Sequence, residues 1–291
     1  MSDKNPQFIL FFPDLFVPLH PEKGIVLKMK RIGLLLWVTI FLCLTVSAQL
    51  PYHVVILGDS NTFLGGDACD KPQGWNKWFK DLAKPKSCRS YARSGATWTH
   101  TPQTVYDTKE NVGVISDDNV IYNQVNRLKE AVEAGKQVTP DLIIIMAGTN
   151  DLWFSDKRPD CLRLRPSDIY LPPVKSIAYN KPSELTQLTQ CVCYDMEILK
   201  AAFPEVKIIL ITPPQNNKKS VDEQVMVGNY IAGCAMEMQQ AYIPLTEAFD
   251  VFYGPDIIPA GFSKDGVHTT VKGAKVLGKY IYEQVEAILK K

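Results

Sequence analysis

From Pro51 onward, short apolar runs alternate with longer stretches in which apolar positions recur every three or four residues. The runs at 53–57, 141–146 and 206–211 are nearly continuous in Val, Ile and Leu, the pattern of strands covered on both faces. Residues 87–92 and 241–245 are weaker strand candidates. The longer stretches predict helices over 75–83, 122–134, 183–202, 221–239 and 271–289. In the last of these Val271, Ala274, Leu277, Gly278, Ile281, Val285 and Ile288 share one face. Strand and helix in alternation mean βαβ units around a parallel sheet. About five strands and five helices in roughly 240 residues suffice for one α/β domain, a three-layer α/β/α sandwich with a five-stranded parallel sheet spanning 49–291.

One stretch breaks the rhythm. Residues 153–181 carry Pro159, Pro166, Pro172 and Pro173 between a strand end and the next helix. A connection of this length is long for a compact α/β domain and predicts a functional loop rather than a linker.

The first 48 residues follow a different logic. Met29, Lys30 and Arg31 precede an apolar run from Ile32 to Val46, and Val46, Ser47 and Ala48 are the small residues a signal peptidase favours. The apolar run is shorter than the roughly 20 residues of a spanning helix. Residues 29–48 therefore predict a signal peptide cleaved near Ala48, and a mature chain that is secreted or periplasmic without stable membrane insertion. Residues 1–28 hold Pro6, Pro13, Pro18 and Pro21 and are expected to be a non-native extension upstream of a start at Met29.

Charge and cysteine content narrow the function further. Removing residues 1–48 takes away five basic and three acidic residues and leaves a nearly neutral chain, with no basic excess of the kind nucleic-acid binding requires. Of seven cysteines, Cys69, Cys88, Cys161, Cys191, Cys193 and Cys234 remain, an even count that permits disulfides in an exported protein. Cys69 with Cys88, and Cys161 with Cys191 or Cys193, are the expected pairs. Cys191 and Cys193 are separated by one residue, unlike a zinc-binding pair, and no His-Glu-x-x-His occurs. No metal and no organic cofactor is expected.

The chemistry concentrates in four short segments. An apolar strand ends in Gly58, Asp59 and Ser60; Ser94, Gly95 and Ala96 follow the second strand; Gly148, Thr149, Asn150 and Asp151 follow the third; Asp265, Gly266, Val267 and His268 precede the last helix. Loops at the carboxyl ends of parallel strands converge on one edge of the sheet, so topology gathers these segments. A serine hydroxyl needs a base, and a histidine base gains from a carboxylate that fixes its tautomer. Asp265 and His268 are three residues apart, close enough in a turn for that role. Of the other histidines, His20 falls in the leader, His53 lies at the wrong end of the first strand, and His100 is a lesser candidate. Charge developing on a substrate carbonyl oxygen needs donors, which the N–H groups of Ser60 and Gly95 and the side-chain amide of Asn150 can supply. Asp59 and Asp151 read as turn formers.

These segments, in this order, resemble the SGNH hydrolases, the GDSL family of esterases and lipases, and the likeness extends over essentially the whole mature chain. The resemblance implies Ser60 as nucleophile and first oxyanion donor, Gly95 and Asn150 as the other donors, His268 as base, Asp265 as its orienting partner, and the flavodoxin-like strand order 2-1-3-4-5. The first block departs from the family in reading Asn61 and Thr62 after the serine instead of leucine. The expected activity is that of a secreted serine esterase that removes short, acetyl-type acyl groups from carbohydrate or small polar alcohols through an acyl-enzyme. No apolar lid-like segment favours lipid, and Phe63, Trp98, Trp153, Phe154 and Phe262 stand near the expected site. Two alternatives remain beside it: a lysophospholipase or thioesterase for longer chains, and a carbohydrate-binding protein on a degenerate hydrolase fold.

Overall fold

Strands β1 (His53–Gly58), β2 (Ser87–Ser90), β3 (Leu142–Met146), β4 (Lys207–Ile211) and β5 (Ala241–Ile243) form one sheet in a computed structural model that describes residues 49–106 and 119–291. All neighbours are parallel and the order is β2-β1-β3-β4-β5, the order the family resemblance implies. The proposed upstream extension and signal peptide lie outside the described residues. Among those residues no helix is long and apolar enough to cross a membrane.

Side chains alternate across the sheet with a period of two. Val55, Leu57, Ile143 and Ile145 enter one core, which α3 (Ile121–Glu133), α5 (Leu188–Ala202) and α6 (Val221–Glu237) cover. Val54, Ile56, Leu142, Ile144 and Met146 enter the other, under α2 (Trp75–Ala83) and α7 (Val271–Leu289). The unbroken Leu-Ile-Ile-Ile-Met of β3 is thus explained, because both faces are buried. Gly278 lets α7 approach α2: a Cβ there would lie 2.5 Å from Trp75 O.

The structure refines several boundaries. The helix expected from residue 183 begins at Leu188, because Pro182–Glu184 is a single 3-10 turn and Gln187 is extended, its N–H donating to Gln190 Oε1 at 3.3 Å. Two short helices, α1 (Ser60–Phe63) and α4 (Thr149–Trp153), follow β1 and β3 where no apolar periodicity announced them. Loop 153–181 is anchored to α5 by Glu197, which accepts hydrogen bonds from Tyr170 Oη, Ser176 Oγ and the N–H groups of Ile177 and Ala178.

The expected disulfides are corrected. All six described cysteines are free thiols. The Cys88 thiol is pushed up mainly by its contact with the Cys69 thiol, and Cys234 by its contact with Cys193 rather than Cys161. Cys191 and Cys193 are about 200° apart around α5, so they face different neighbours. The Cys191 thiol turns to Leu185 O at 3.6 Å.

Candidate active site

The carboxyl end of β1 is held open from below. Gln124 of α3 grips Gly58 through two hydrogen bonds of 2.9 Å, Gly58 N–H to Oε1 and Nε2 to Gly58 O. A Cβ at Gly58 would lie 2.4 Å from Met146 O, so only glycine lets β1 and β3 meet there. Asp59 then caps α1, its Oδ1 accepting the Asn61 N–H at 3.1 Å. This puts Ser60 at the first position of a helix, where its N–H lacks an intrahelical acceptor.

The histidine reaches this serine from the loop before α7. His268 Nε2 lies 3.0 Å from Ser60 Oγ, and His268 Nδ1 lies 2.7 Å from Asp265 Oδ2. Asp265 Oδ1 accepts from the N–H groups of Val267 at 2.9 Å and His268 at 2.8 Å, and from Ser263 Oγ at 3.1 Å. Burial works to raise the Asp265 carboxyl, yet the hydrogen bonds from the His268 ring and the two backbone N–H groups together hold it well below the usual carboxylate range. Asp265 therefore stays ionised, with one oxygen fixed by its own turn and the other fixed on the ring. His100 is not the base: its ring is buried, its Nδ1 lies 2.9 Å from Pro182 O, and burial together with the Arg158 charge pushes it down to about 4. His53 contacts Ser87 at the start of β1.

The three oxyanion candidates follow the carboxyl ends of β1, β2 and β3, which are neighbours in the sheet. Gly95 has φ of 77°, a left-handed conformation that favours glycine, and lies in the loop after β2. Asn150 sits in the first turn of α4 and uses one amide N–H on Ala96 O at 2.9 Å, leaving the other for the crevice. Neither Ser60 N–H nor Gly95 N–H donates to an acceptor among the described residues. Unsatisfied N–H groups beside a serine hydroxyl are what a developing oxyanion requires.

Two carboxyls lie beneath the site. Asp59 is fully buried, and burial raises it from 3.8 to about 7 despite the Asn61 N–H and the neighbouring Thr149 hydroxyl, which pull it down. Asp151 is also fully buried but accepts three hydrogen bonds from Trp98 and Thr99. Both were legible only as turn residues, because the partners of Asp151 are 52 and 53 positions away.

A cavity of about 530 Å³ opens beside Gly95, lined by Thr101, Gln103, Phe154, Lys157, Arg158 and Thr186 among others. Its far wall is the first part of loop 153–181. A second depression of about 450 Å³ is bounded by Gln73, Lys264, Asp265, His268 and Thr270. Of the expected aromatic surfaces, Trp98 is wholly core and Phe262 stacks on Phe252 at 5.7 Å. Phe63 and Trp153 are about 40% exposed, each one helical turn beyond Ser60 and Asn150 respectively. Among the described residues no three His, Cys, Asp or Glu side chains are grouped to hold a metal ion.

The family described as GDSL-like lipase/acylhydrolase matches the chain over residues 54–281. Similar solved structures include a protein described as a GDSL-like lipase from Bacteroides ovatus, at 17% identity over 82% of this chain and 100% of that one, with a TM-score of 0.53. A second, described in the same words, comes from Bacteroides uniformis, at 19% identity over 81% and 96%, with a TM-score of 0.50. A protein from Lactobacillus plantarum matches at 13% identity over 82% and 98%, with a TM-score of 0.52. At these identities the likeness is one of fold. No curated protein matches the chain by sequence.

Proposed function

The chain belongs to the GDSL-like lipase/acylhydrolase family and is a serine hydrolase of ester bonds, and on that footing we propose that it is an exported esterase removing acetyl or similarly short acyl groups from carbohydrate or another small polar alcohol. The observation that carries the esterase part of this reading is the unbroken run of contacts from Ser60 Oγ through His268 to Asp265, with the Ser60 and Gly95 N–H groups lacking acceptors among the described residues.

In this reading Ser60 Oγ attacks the ester carbon while its proton passes to His268 Nε2. The carbonyl oxygen becomes an oxyanion held by Ser60 N–H, Gly95 N–H and Asn150 Nδ2–H. Collapse expels the alcohol, which takes the proton from His268, and leaves an acyl group on Ser60. Water, deprotonated by His268, then attacks the acyl carbon, and collapse breaks its bond to Ser60 Oγ, which takes the proton back from His268 as the carboxylic acid leaves. Asp265 stabilises the imidazolium at both stages and keeps the ring in one tautomer.

The surroundings favour a polar alcohol and a short acyl group. The leaving oxygen is protonated from His268, whose ring edges a depression that also carries Gln73, Lys264 and Thr270, side chains able to hydrogen-bond a polar alcohol. The cavity beside Gly95 mixes apolar walls, Pro102, Phe154 and Pro159, with the charged groups of Lys157, Arg158 and Asp160, unlike a wholly apolar tunnel for a long chain. Export rests on the sequence of residues 29–48, and material recovered outside the cell should begin at Gln49.

The reading is tested by the rates on p-nitrophenyl acetate, butyrate, octanoate and palmitate, with Ser60→Ala in parallel. Turnover that is highest on acetate and lost in the variant is expected. Serine-dependent turnover peaking at palmitate would overturn the short-chain assignment.

A further inference from the structure

We infer that Asp151 is a positioning residue for the oxyanion hole: its buried carboxylate clamps the loop that carries Gly95 and so aims the Gly95 N–H at the same point as the Asn150 amide. The inference rests on the esterase reading of Ser60 and concerns a residue that touches no reacting atom.

Gly95 has no strand partner; the peptide that carries its N–H is held on one side by Asn119 Nδ2, which donates to Ser94 O at 2.9 Å, and Thr97 forms an isolated parallel bridge with Val120. The direction of the Gly95 N–H depends on these ties together with those made to the residues that follow. Asn150 and Asp151 make the latter as neighbours on α4. Asn150 Nδ2 donates to Ala96 O at 2.9 Å. Asp151 Oδ2 accepts the Trp98 N–H at 3.1 Å, and Asp151 Oδ1 accepts the Thr99 N–H at 2.9 Å and Thr99 Oγ1–H at 2.8 Å. Ala96, Trp98 and Thr99 are therefore all held from the helix that also supplies the side-chain oxyanion donor. Two donors from different loops are fixed in one frame.

The clamp requires a carboxylate. Three donors converge on its two oxygens, and hydrogen bonds to an ionised acceptor are shorter and stronger than neutral ones. Asparagine has nearly the same shape but offers one oxygen; turned to accept from Thr99, its NH2 would face the Trp98 N–H, donor against donor. Thr99 also passes the restraint outward. With its hydroxyl proton on Asp151, Thr99 Oγ1 accepts from Arg158 Nη1 at 2.7 Å, and Thr99 O accepts from the same nitrogen at 3.2 Å. Arg158 belongs to the loop that walls the cavity beside Gly95. The substrate cavity and the oxyanion hole thus share one anchor.

The test compares D151N, T99V, N150A and the D151N/N150A double variant on p-nitrophenyl acetate, with affinity for a small alkylboronic acid measured alongside. The boronate forms a tetrahedral adduct on a serine oxygen and so reports on the hole independently of turnover. The clamp predicts that D151N lowers kcat by about 10- to 100-fold with KM within about threefold, weakens the boronate by a similar factor, and costs little more when Asn150 is already Ala. T99V, which removes one of the three hydrogen bonds, should show the same pattern at smaller size and serves if D151N does not fold. Unchanged kcat and boronate affinity in folded D151N or T99V would overturn the inference. So would a double variant whose loss is the full product of the two single losses, the behaviour of independent sites. Wild-type turnover and its loss in Ser60→Ala report separately on the esterase reading, so the two failures are distinguishable.

Discussion

His268 Nε2 stands 3.0 Å from Ser60 Oγ across 208 positions of sequence, and the same ring is held from behind by Asp265, three residues before it. One partner is delivered by the topology of the sheet and the other by a local turn, so the two should respond differently to substitution. His268→Ala removes the base outright and is expected to lower kcat on a short ester by about 10³-fold. Asp265→Asn keeps the turn but removes the charge that stabilises the imidazolium, and a smaller loss is expected. Steady-state rates of the two variants, with Tm to verify folding, check the order; a larger loss for Asp265→Asn would contradict it.

Asn150 has one amide hydrogen on Ala96 O and one left over. If the second binds the oxyanion, its stabilisation appears only in the transition state. Asn150→Ala should reduce kcat by roughly 100- to 1000-fold with little change in KM. A rise in KM at constant kcat would place Asn150 in ground-state binding instead.

Asp59 supplies a pH signature. Its folded value of about 7 lies above the ordinary 3.8, so between about pH 4 and pH 7 the unfolded chain ionises at this position while the native protein does not. The native state loses stability through that window, and above pH 7 the penalty is constant. Asp59→Asn retains an oxygen to cap Asn61 and does not ionise. Its Tm should gain on the wild-type Tm as pH rises from 4 to 7.5, by an amount equivalent to up to about 4 kcal/mol. A Tm difference independent of pH would contradict the assignment.

Phe63 and Trp153 flank the site on the helices that begin near Ser60 and at Thr149, and both are exposed although large and apolar. Three residues along a helix returns to nearly the same face. Phe63→Ala and Trp153→Ala are expected to raise KM for an acetylated polysaccharide roughly 3- to 10-fold each, from the free energy of one ring contact. KM for p-nitrophenyl acetate, too small to reach both rings, should hardly move. Equal changes on both substrates would argue for a packing role.

The parts of this molecule that were readable from the chain are those written in local pattern. Buried strands such as β3 are runs of Leu, Ile and Met because both faces are covered, and the face of α7 is periodic because one side meets α2. The placement of Ser60, Gly95 and Asn150 at one edge was readable because parallel strands send their carboxyl ends there, without knowledge of any contact. Long-range polar contacts left no such trace. Gln124 gripping Gly58, Asp151 clamping Trp98 and Thr99, and Glu197 anchoring loop 153–181 each join residues that neither spacing nor propensity links. Trp98 stands three residues after Gly95 and so near the expected site along the chain, yet that loop turns it into the core. The helices α1 and α4 are too short to show a period, and they are the ones that aim the reactive groups.

The most direct test of the central claim is covalent. Wild-type protein, Ser60→Ala and His268→Ala should be treated with a serine-directed fluorophosphonate, and the adduct located by peptide mass spectrometry. The account predicts one adduct, on Ser60, formed slowly in His268→Ala and absent in Ser60→Ala. An adduct on another residue, or equal labelling in Ser60→Ala, would contradict it.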